Sequence, residues 1–230
     1  MKEHPILFSA PMVHAILEGR KTQTRRIVKP QPGQSATKAI CVNGWWMWAP
    51  ERRHFDGRMD DLISDKRCPY GEPGDWLWVR EKHCFLDVMK SKVSGMSLGP
   101  QNDNARVPST WCLDIEYSDG TEHSATVEGE QPKQTRQRGE CRWRPGIHMP
   151  RWASRITLEV TGVRVERLQE ISEQDAREEG CQNPPTFQGV LSNGKNWYMR
   201  LWDEINGKRT PWASNPWVWV IEFKGLPCKP

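Results

Sequence analysis

Short apolar runs, most of them alternating with polar residues, are the main pattern along the chain and predict a protein built largely of strands. The run at 75–81 gives the strongest signal for an interior strand. The alternation over 155–167 predicts a second strand, with Gly162 as a bulge. Two more strands are expected at 6–8 and 217–223, and two hairpins, which turn at Asn43-Gly44 and at Ser118-Asp119-Gly120.

Helical spacing is confined to three stretches, near 10–18, 172–179 and 195–205. Gly19 is placed to end the first helix, and Ser172 to Asp175 resembles a capping box that opens the second. Six or more short strands with only three helices favour a mixed α/β (α+β) fold, a small β-barrel with peripheral helices.

Two loop-rich stretches, 31–69 and 86–140, interrupt this pattern and are interpreted as insertions in one domain that spans 1–230. The predicted core then comprises about 5–30, 70–85 and 141–224. Residues 87–110 carry almost no apolar periodicity and are expected to be mostly irregular and more mobile than the core.

Composition limits the class of protein. The 33 basic and 29 acidic residues give a formal charge of +4, and 13 tryptophans argue against a disordered chain. No apolar run approaches the roughly 18 residues of a membrane helix, and the N-terminus lacks a signal-peptide pattern, so we expect a cytoplasmic protein that does not contact a membrane. The seven cysteines form no CxxC pair, so we expect no metal site, and because no secretory signal is present we expect reduced thiols.

The segment Gly19-Arg20-Lys21-Thr22-Gln23-Thr24-Arg25-Arg26 is the clearest candidate for chemistry. Cations gather at a helix C-terminus because its dipole attracts them, which explains Arg20 and Lys21 without any function. Arginine and lysine with hydroxyls also suit a nucleotide or phosphate site. Composition alone leaves both interpretations open.

Three motifs carry a resemblance to a known family: Gly19-Arg20-Lys21-Thr22-x-Thr24-x-Arg26, Gly74-Asp75-x-Leu77-Trp78-Val79-Arg80-Glu81 and the final strand Val220 to Lys224. Together they resemble the ASCH family, whose domains are similar to PUA and YTH domains. The chain is also similar to longer ASCH-domain proteins of bacteriophages and prophages, which would place it in a bacterial host cytoplasm. The resemblance implies a PUA-like barrel with a cleft for a nucleoside or nucleic acid.

The family includes an amidohydrolase that removes the acetyl group from acetylcytidine. The resemblance implies that Lys21, Thr24 and Glu179 form the catalytic set here, without metal or cofactor. Thr24 would be the nucleophile, Lys21 its base once burial and nearby arginines favour the neutral amine, and Glu179 a proton donor or water-positioning group. Lys21 and Thr24 can converge only if the chain turns after Gly19, because residues three apart on a strand point to opposite faces.

Further residues are expected to contact the nucleoside or nucleic acid. They are Arg20, Thr22, Arg25 and Arg26 in the cationic segment, Arg80 and Glu81 at the end of the interior strand, Arg151 before the 155–167 strand, and Trp46 and Trp48 in the first hairpin. Neighbouring strand residues alternate, so at least one of Trp45, Trp46 and Trp48 is expected to be exposed for base stacking.

Two functions from different classes compete. The first is an amidohydrolase acting on an acylated or modified pyrimidine nucleoside, free or in RNA. The second is a non-catalytic PUA-like module that binds RNA or single-stranded nucleic acid. Ribonuclease activity is a third hypothesis, although the sequence contains no pair of histidines that would support it. Oligomeric state is not predicted.

Overall fold

The protein is described by a computed structural model that covers residues 1–33, 36–50, 65–90, 110–128, 143–181, 186–187, 190–191 and 194–226. Within these ranges three α-helices are found: α1 (Ala10–Leu17), α2 (Glu173–Glu178) and α3 (Gly194–Asn206). The strands are β1 (Glu3–Leu7), β2 (Gln23–Ile27), β3 (Ala36–Val42), β4 (Trp45–Pro50), β5 (Asp65–Lys66), β6 (Trp76–Arg80), β7 (His83–Lys90), β8 (Thr110–Tyr117), β9 (Glu122–Glu128), β10 (Thr157–Arg167), β11 (Thr186–Phe187), β12 (Val190–Leu191) and β13 (Trp217–Gly225).

The fold is mixed α+β, mostly sheet with few helices, as the alternating pattern predicts. The largest sheet has the strand order β1-β6-β10-β13-β2, and two three-stranded sheets have the orders β3-β4-β5 and β7-β8-β9. The three predicted helices and the four predicted strands are confirmed within two or three residues at their ends. The expected irregular stretch at 87–110 begins and ends in strand, and its residues 91–109 lie outside the described ranges.

The chain divides into two compact units. Unit 1 comprises Met1–Ile6, Pro11–Trp78 and Ile156–Pro230, and unit 2 comprises Leu7–Ala10 and Val79–Arg155. The predicted insertion 31–69 falls in unit 1, and the predicted insertion 86–140 falls in unit 2.

The long antiparallel pair β10–β13 organises unit 1. Its register shifts between Val160 and Gly162, which confirms the predicted bulge. One face of β13 places Val218 and Val220 in a core with α2 and α3; the other members of this core are Leu168, Ile171, Ala176, Tyr198 and Trp202. Because strand residues alternate, Trp217 and Trp219 point to the opposite face.

Both predicted hairpins are confirmed. Asn43 and Gly44 have φ values of 51° and 79°, the left-handed conformation that a two-residue type I′ turn requires at both positions. The turn between β8 and β9 contains Gly120 at φ 80°. In unit 2 these strands cover a small core formed by Ile115, Tyr117, Met149 and Ala153.

Two further observations concern the chain as a whole. Cys84 is disulfide-bonded, so the expectation of seven reduced thiols is wrong at this position, while Cys41, Cys68 and Cys181 are free thiols. Among the described residues, no helix combines the length and the apolar character needed to cross a membrane.

Candidate functional site

The candidate site in unit 1 begins where α1 ends. Gly19 has φ 73°, a left-handed conformation that glycine adopts without strain. Its N–H donates to the Ile16 carbonyl at 3.0 Å, and the N–H of Arg20 donates to the Ala15 carbonyl at 2.9 Å. These two bonds form a Schellman motif, which turns the chain out of the helix just before Lys21.

The second helix ends in the same way. Gly180 has φ 102°, its N–H donates to the Arg177 carbonyl at 2.8 Å, and the Cys181 N–H donates to the Ala176 carbonyl at 3.2 Å. A Cβ on Gly180 would lie 3.1 Å from the Cβ of Ala15, so the two helix ends approach each other closely here. The segments that leave the helices meet in an isolated antiparallel bridge between Lys21 and Glu179.

Lys21 and Glu179 form a buried ion pair. Their side chains are 0% and 3% exposed, and Lys21 Nζ donates to Glu179 Oε2 at 2.6 Å and to the Glu179 carbonyl at 3.0 Å. Burial lowers the pKa of Lys21 and outweighs the opposing effect of Glu179, and the charges of Arg26 and Arg25 lower it further. The amine is therefore easier to deprotonate than a surface lysine.

Arg25 lies in the same cluster and faces three carboxylates. Its side chain is 0% exposed, and its guanidinium lies 3.3 Å from Glu179 Oε1, 3.2 Å from Glu166 Oε2 and 3.3 Å from Asp175 Oδ2. A phosphate contact would have to compete with these carboxylates for a side chain that does not reach solvent. The geometry thus argues against the nucleic-acid contact expected of Arg25.

Tyr198 on α3 covers the carboxylate from another side. Its hydroxyl is hydrogen-bonded to the Glu179 side chain, and its ring lies 5.8 Å from the Arg25 guanidinium carbon. Burial, together with the negative charge of Glu179, raises the pKa of Tyr198 well above its ordinary value. The phenol therefore stays protonated and donates to the carboxylate.

Asp175 connects the cluster to the start of α2. Its carboxylate accepts from the Ser172 N–H and hydroxyl, and the Asp175 N–H donates to Ser172 Oγ at 3.0 Å, which confirms the predicted capping box. Burial alone would raise the pKa of Asp175, but these bonds, a bond from Gln23 and the charge of Arg25 outweigh it and hold the pKa at about 2. Arg164 Nη2 lies 2.6 Å from its Oδ1.

Thr24 is next to Arg25 in β2 but faces the opposite side of the strand. Strand alternation directs Gln23 and Arg25 toward α2, and Thr24 and Arg26 toward the other side of β2. Thr24 is buried, and its hydroxyl accepts a hydrogen bond from Arg26 Nη1 at 2.8 Å. The Arg26 charge also acts on the Lys21 amine. Lys21 and Glu179 are thus in direct contact, and Arg26 connects Thr24 to them electrostatically.

The remaining residues of the cationic segment have structural contacts. Arg20 donates to the Gly180 carbonyl at 2.9 Å and pairs with Glu18. The exposed Thr22 donates its N–H to the Glu178 carbonyl at 2.8 Å, which extends the bridge between the two helix ends.

The tryptophans of the first hairpin fulfil the expectation only in part. Trp45 is 39% exposed, with the Arg67 guanidinium 4.5 Å from its ring centre, as the alternation requires of at least one of the three. Trp48 is fully buried and packs edge-on against Trp217 and Trp219, so stacking of a base on Trp48 is disfavoured. Trp46 is half-buried and packs edge-on against Trp219.

The other three predicted contact residues belong to unit 2. Glu81 is buried and accepts two parallel hydrogen bonds of 2.9 Å from Arg155, which also pairs with Asp119 at 2.7 Å. Glu81 is therefore part of a structural ion-pair network. Arg80 is half-buried, and Arg151 is exposed in a short 3₁₀ turn at Arg151–Ala153.

Sequence reasoning missed the groups that surround Glu179. Asp175 was interpreted only as a helix cap, and Glu166 and Tyr198 were not singled out. The α3 periodicity marked Tyr198 as neither core nor site, because it lies between the apolar Trp197 and Leu201. The sequence gives no signal for Glu166, because strand alternation places it on the face opposite Val165, where a charged residue needs no partner.

No group of three or more histidine, cysteine, aspartate or glutamate side chains that could hold a metal ion is found among the residues that the structure describes. Comparisons with protein-family models, with curated proteins and with solved structures found no match.

Proposed function

We propose that the protein is an amidohydrolase that acts on an acylated pyrimidine nucleoside of the acetylcytidine type, free or within RNA. The observation that carries the proposal is the contact of 2.6 Å between Lys21 Nζ and Glu179 Oε2, at side chains that are almost completely buried. The motif resemblance described above supports the same residues. It also supports the finer proposal that the chain forms a PUA-like small β-barrel.

In this proposal Lys21 acts as the base. A lysine whose pKa is lowered by burial has a larger fraction of neutral amine near neutral pH, and only the neutral amine can accept a proton. Enzymes lower lysine pKa values by burial for this purpose. Glu179 holds the amine in place through the side-chain bond at 2.6 Å and a second bond to its own carbonyl at 3.0 Å.

Thr24 is the proposed nucleophile. Because Thr24 faces the other side of β2, one water molecule carries its hydroxyl proton to the Lys21 amine. The Thr24 oxygen then bonds to the acyl carbon, and the carbonyl electron pair moves onto its oxygen. When this intermediate collapses, the bond from the acyl carbon to the exocyclic nitrogen breaks, and the Lys21 ammonium returns the proton to the departing amine. Water then hydrolyses the threonine ester and releases the acid.

Arg26 supports this chemistry at the nucleophile. It donates to Thr24 Oγ1 at 2.8 Å, and a cationic donor stabilises negative charge that develops on that oxygen. The same guanidinium lowers the pKa of Lys21. One cation therefore favours both the deprotonated hydroxyl and the neutral amine that the first step requires.

The cationic segment gives less support to a module that grips phosphates. Arg25 is enclosed by carboxylates, and Arg20 is bound to Glu18 and to the Gly180 carbonyl. The positive charge that the sequence concentrates here is thus largely balanced by acidic groups of the same unit.

The test is release of cytidine from acetylcytidine by the purified protein, followed by chromatography. Glu179→Gln and Thr24→Ala should lower kcat by at least 100-fold, in the range typical for loss of an acid–base group or nucleophile. Glu178→Gln is the matched control, one position from Glu179, and should stay close to wild type. Equal activity of Thr24→Ala and wild type would exclude the covalent route, and absence of turnover over a panel of acylated nucleosides would refute the proposed function.

A further inference from the structure

The segment Trp143 to Trp152 in unit 2 forms a surface that the proposed chemistry does not use. Its sequence, Trp-Arg-Pro-Gly-Ile-His-Met-Pro-Arg-Trp, contains two arginines, one histidine and two tryptophans, with no aspartate or glutamate. It contains a 3₁₀ turn at Gly146–His148 and enters a second at Arg151–Ala153. We call it the 143–152 platform.

Buried residues anchor the platform. Met149 lies in the unit 2 core with Ala153, which follows the platform directly. The Tyr117 hydroxyl donates to the Ala153 carbonyl at 2.9 Å. At the other end, the backbones of His83 and Arg144 exchange hydrogen bonds of 3.2 and 2.8 Å. The backbone is therefore held at both ends.

Large apolar side chains nevertheless point outward from it. Trp143, Ile147 and Trp152 are 37%, 55% and 38% exposed. Exposed tryptophan on a fixed backbone is costly to leave in water, and such residues mark interaction sites when they cluster with polar neighbours.

Cations lie beside these rings. Lys82 Nζ is 5.1 Å from the Trp143 ring centre, and the Arg144 guanidinium carbon is 5.1 Å from the ring centre of Phe85. Trp152 stacks on the same Phe85, with ring centres 5.4 Å apart and an angle of 26° between the planes. Arg151 and His148 are exposed on the platform itself.

We infer that the 143–152 platform, with Lys82, binds single-stranded nucleic acid through base stacking on Trp143 and Trp152 and phosphate contacts to Lys82, Arg144 and Arg151. Exposed aromatic rings beside cations are the combination that grips a single strand, because every base offers a face for stacking and every linkage a negative charge. The absence of acidic residues from the platform sequence favours a polyanion over a protein of mixed charge. The inference does not depend on the amidohydrolase proposal.

The experiment is a titration of fluorescent single-stranded RNA and DNA oligonucleotides of pyrimidine sequence with the 230-residue protein. Three phosphate contacts predict a slope of log affinity against log salt of about −2, at about −0.7 per contact. Trp152→Leu keeps an apolar side chain over Phe85 but removes the stacking surface, and should weaken binding about five- to 150-fold without changing that slope. Arg151→Gln should make the slope shallower by up to about 0.7.

Matched controls come from unit 1. Ile205→Ala truncates an apolar side chain that is 54% exposed, and Lys208→Gln removes an exposed cation; both should bind like wild type. Circular dichroism establishes that each variant is folded. No binding at low salt, an equal loss in Ile205→Ala, or wild-type binding by both Trp143→Leu and Trp152→Leu would overturn the inference. Heparin competing as well as the oligonucleotide, with the tryptophan variants unaffected, would also overturn it and indicate a surface for polyanions without bases.

Discussion

Replacing Glu179 by glutamine tests the central interaction of the candidate site while keeping the size of the side chain. The substitution removes the negative charge that lies 2.6 Å from Lys21 and 3.3 Å from Arg25, and it replaces the acceptor of the Tyr198 hydroxyl bond by an amide. Arg25 keeps Glu166 and Asp175 as partners. Lys21 keeps the Glu179 carbonyl at 3.0 Å.

The expected cost follows from burial. Removing one partner of a buried ion pair leaves an uncompensated charge and typically destabilises a protein by about 3–5 kcal/mol. Because Arg25 remains paired, Lys21 carries most of this cost, and we expect Glu179→Gln to fall near the lower limit, about 3 kcal/mol. This is a large part of the roughly 5–15 kcal/mol that holds a typical domain together.

The destabilisation by Glu179→Gln should also depend on pH, and the pKa of Lys21 determines whether it grows or shrinks as the pH rises. Burial lowers the folded-state pKa of Lys21 below its ordinary value of 10.5, and loss of Glu179 removes an interaction that raises it. Below the folded-state pKa the variant must hold a buried ammonium; above it the amine is neutral and the penalty disappears. The destabilisation should therefore shrink as pH rises toward 10.5.

Urea unfolding followed by tryptophan fluorescence at pH 6 and pH 9 measures both effects. Glu178→Gln is the control, since the Glu178 side chain accepts an exposed bond from Gln174 at 2.7 Å in the same helix and the substitution keeps an acceptor there; it should change stability by less than about 0.5 kcal/mol. In Lys21→Met/Glu179→Gln both charges of the pair are gone, and part of the loss should be recovered. A cost below about 1 kcal/mol for Glu179→Gln, or one that does not change with pH, would show that the pair is solvated and refute the reasoning.

Three other substitutions test neighbouring features by the same unfolding assay. The Asp175 side chain is 16% exposed, and its pKa of about 2 lies below the ordinary 3.8. Its stabilising effect, about 2 kcal/mol, is therefore present above pH 3.8 and lost as the pH falls toward 2. Asp175→Asn should remove this acid-dependent part of the stability, and an unchanged acid transition would contradict the assignment. Trp48→Ala should cost about 3–5 kcal/mol because the ring is fully buried, against less than about 1 kcal/mol for the exposed Trp45→Ala, and similar losses would show that Trp48 is not core. Gly180→Ala adds a Cβ 3.1 Å from Ala15 at φ 102° and should cost more than Gly74→Ala, which has φ 93° but no heavy atom within 4 Å of its Cβ; equal costs would show that backbone strain alone matters.

The sequence predicts the regular elements well, and the reasons are local. The turn Asn43-Gly44, the bulge at Gly162 and the cap formed by Ser172 and Asp175 are each determined by a few adjacent residues. The disulfide at Cys84 is different: no spacing of cysteines along the chain indicates it, because a disulfide requires two Cα atoms to lie within about 7 Å in the folded chain.

At the candidate site, too, contacts between distant parts of the chain could not be predicted from the sequence. The register of the helix 172–180 distinguishes Glu179 from Glu178 only by one position, whereas the structure places Glu179 against Lys21 and Glu178 in an exposed hydrogen bond with Gln174. The role of Arg25 could not be read from the sequence, because three of its partners come from β10 and α2, which are more than 140 residues away. Strand alternation explains why Arg25 and Thr24 face opposite ways.

The buried ion pair of Lys21 and Glu179 is unfavourable for stability in two respects. Glu179 is the C-terminal cap of α2, where the helix dipole disfavours a carboxylate, and Lys21 loses its hydration completely. Replacing a buried ion pair by apolar side chains is often neutral or stabilising, so a fold that needed only stability has no use for this pair. Local rules are broken mainly where a site requires it. Two glycine-terminated helices, which bring Lys21 and Glu179 together at this cost, therefore favour a chemical role for the pair over a purely structural one.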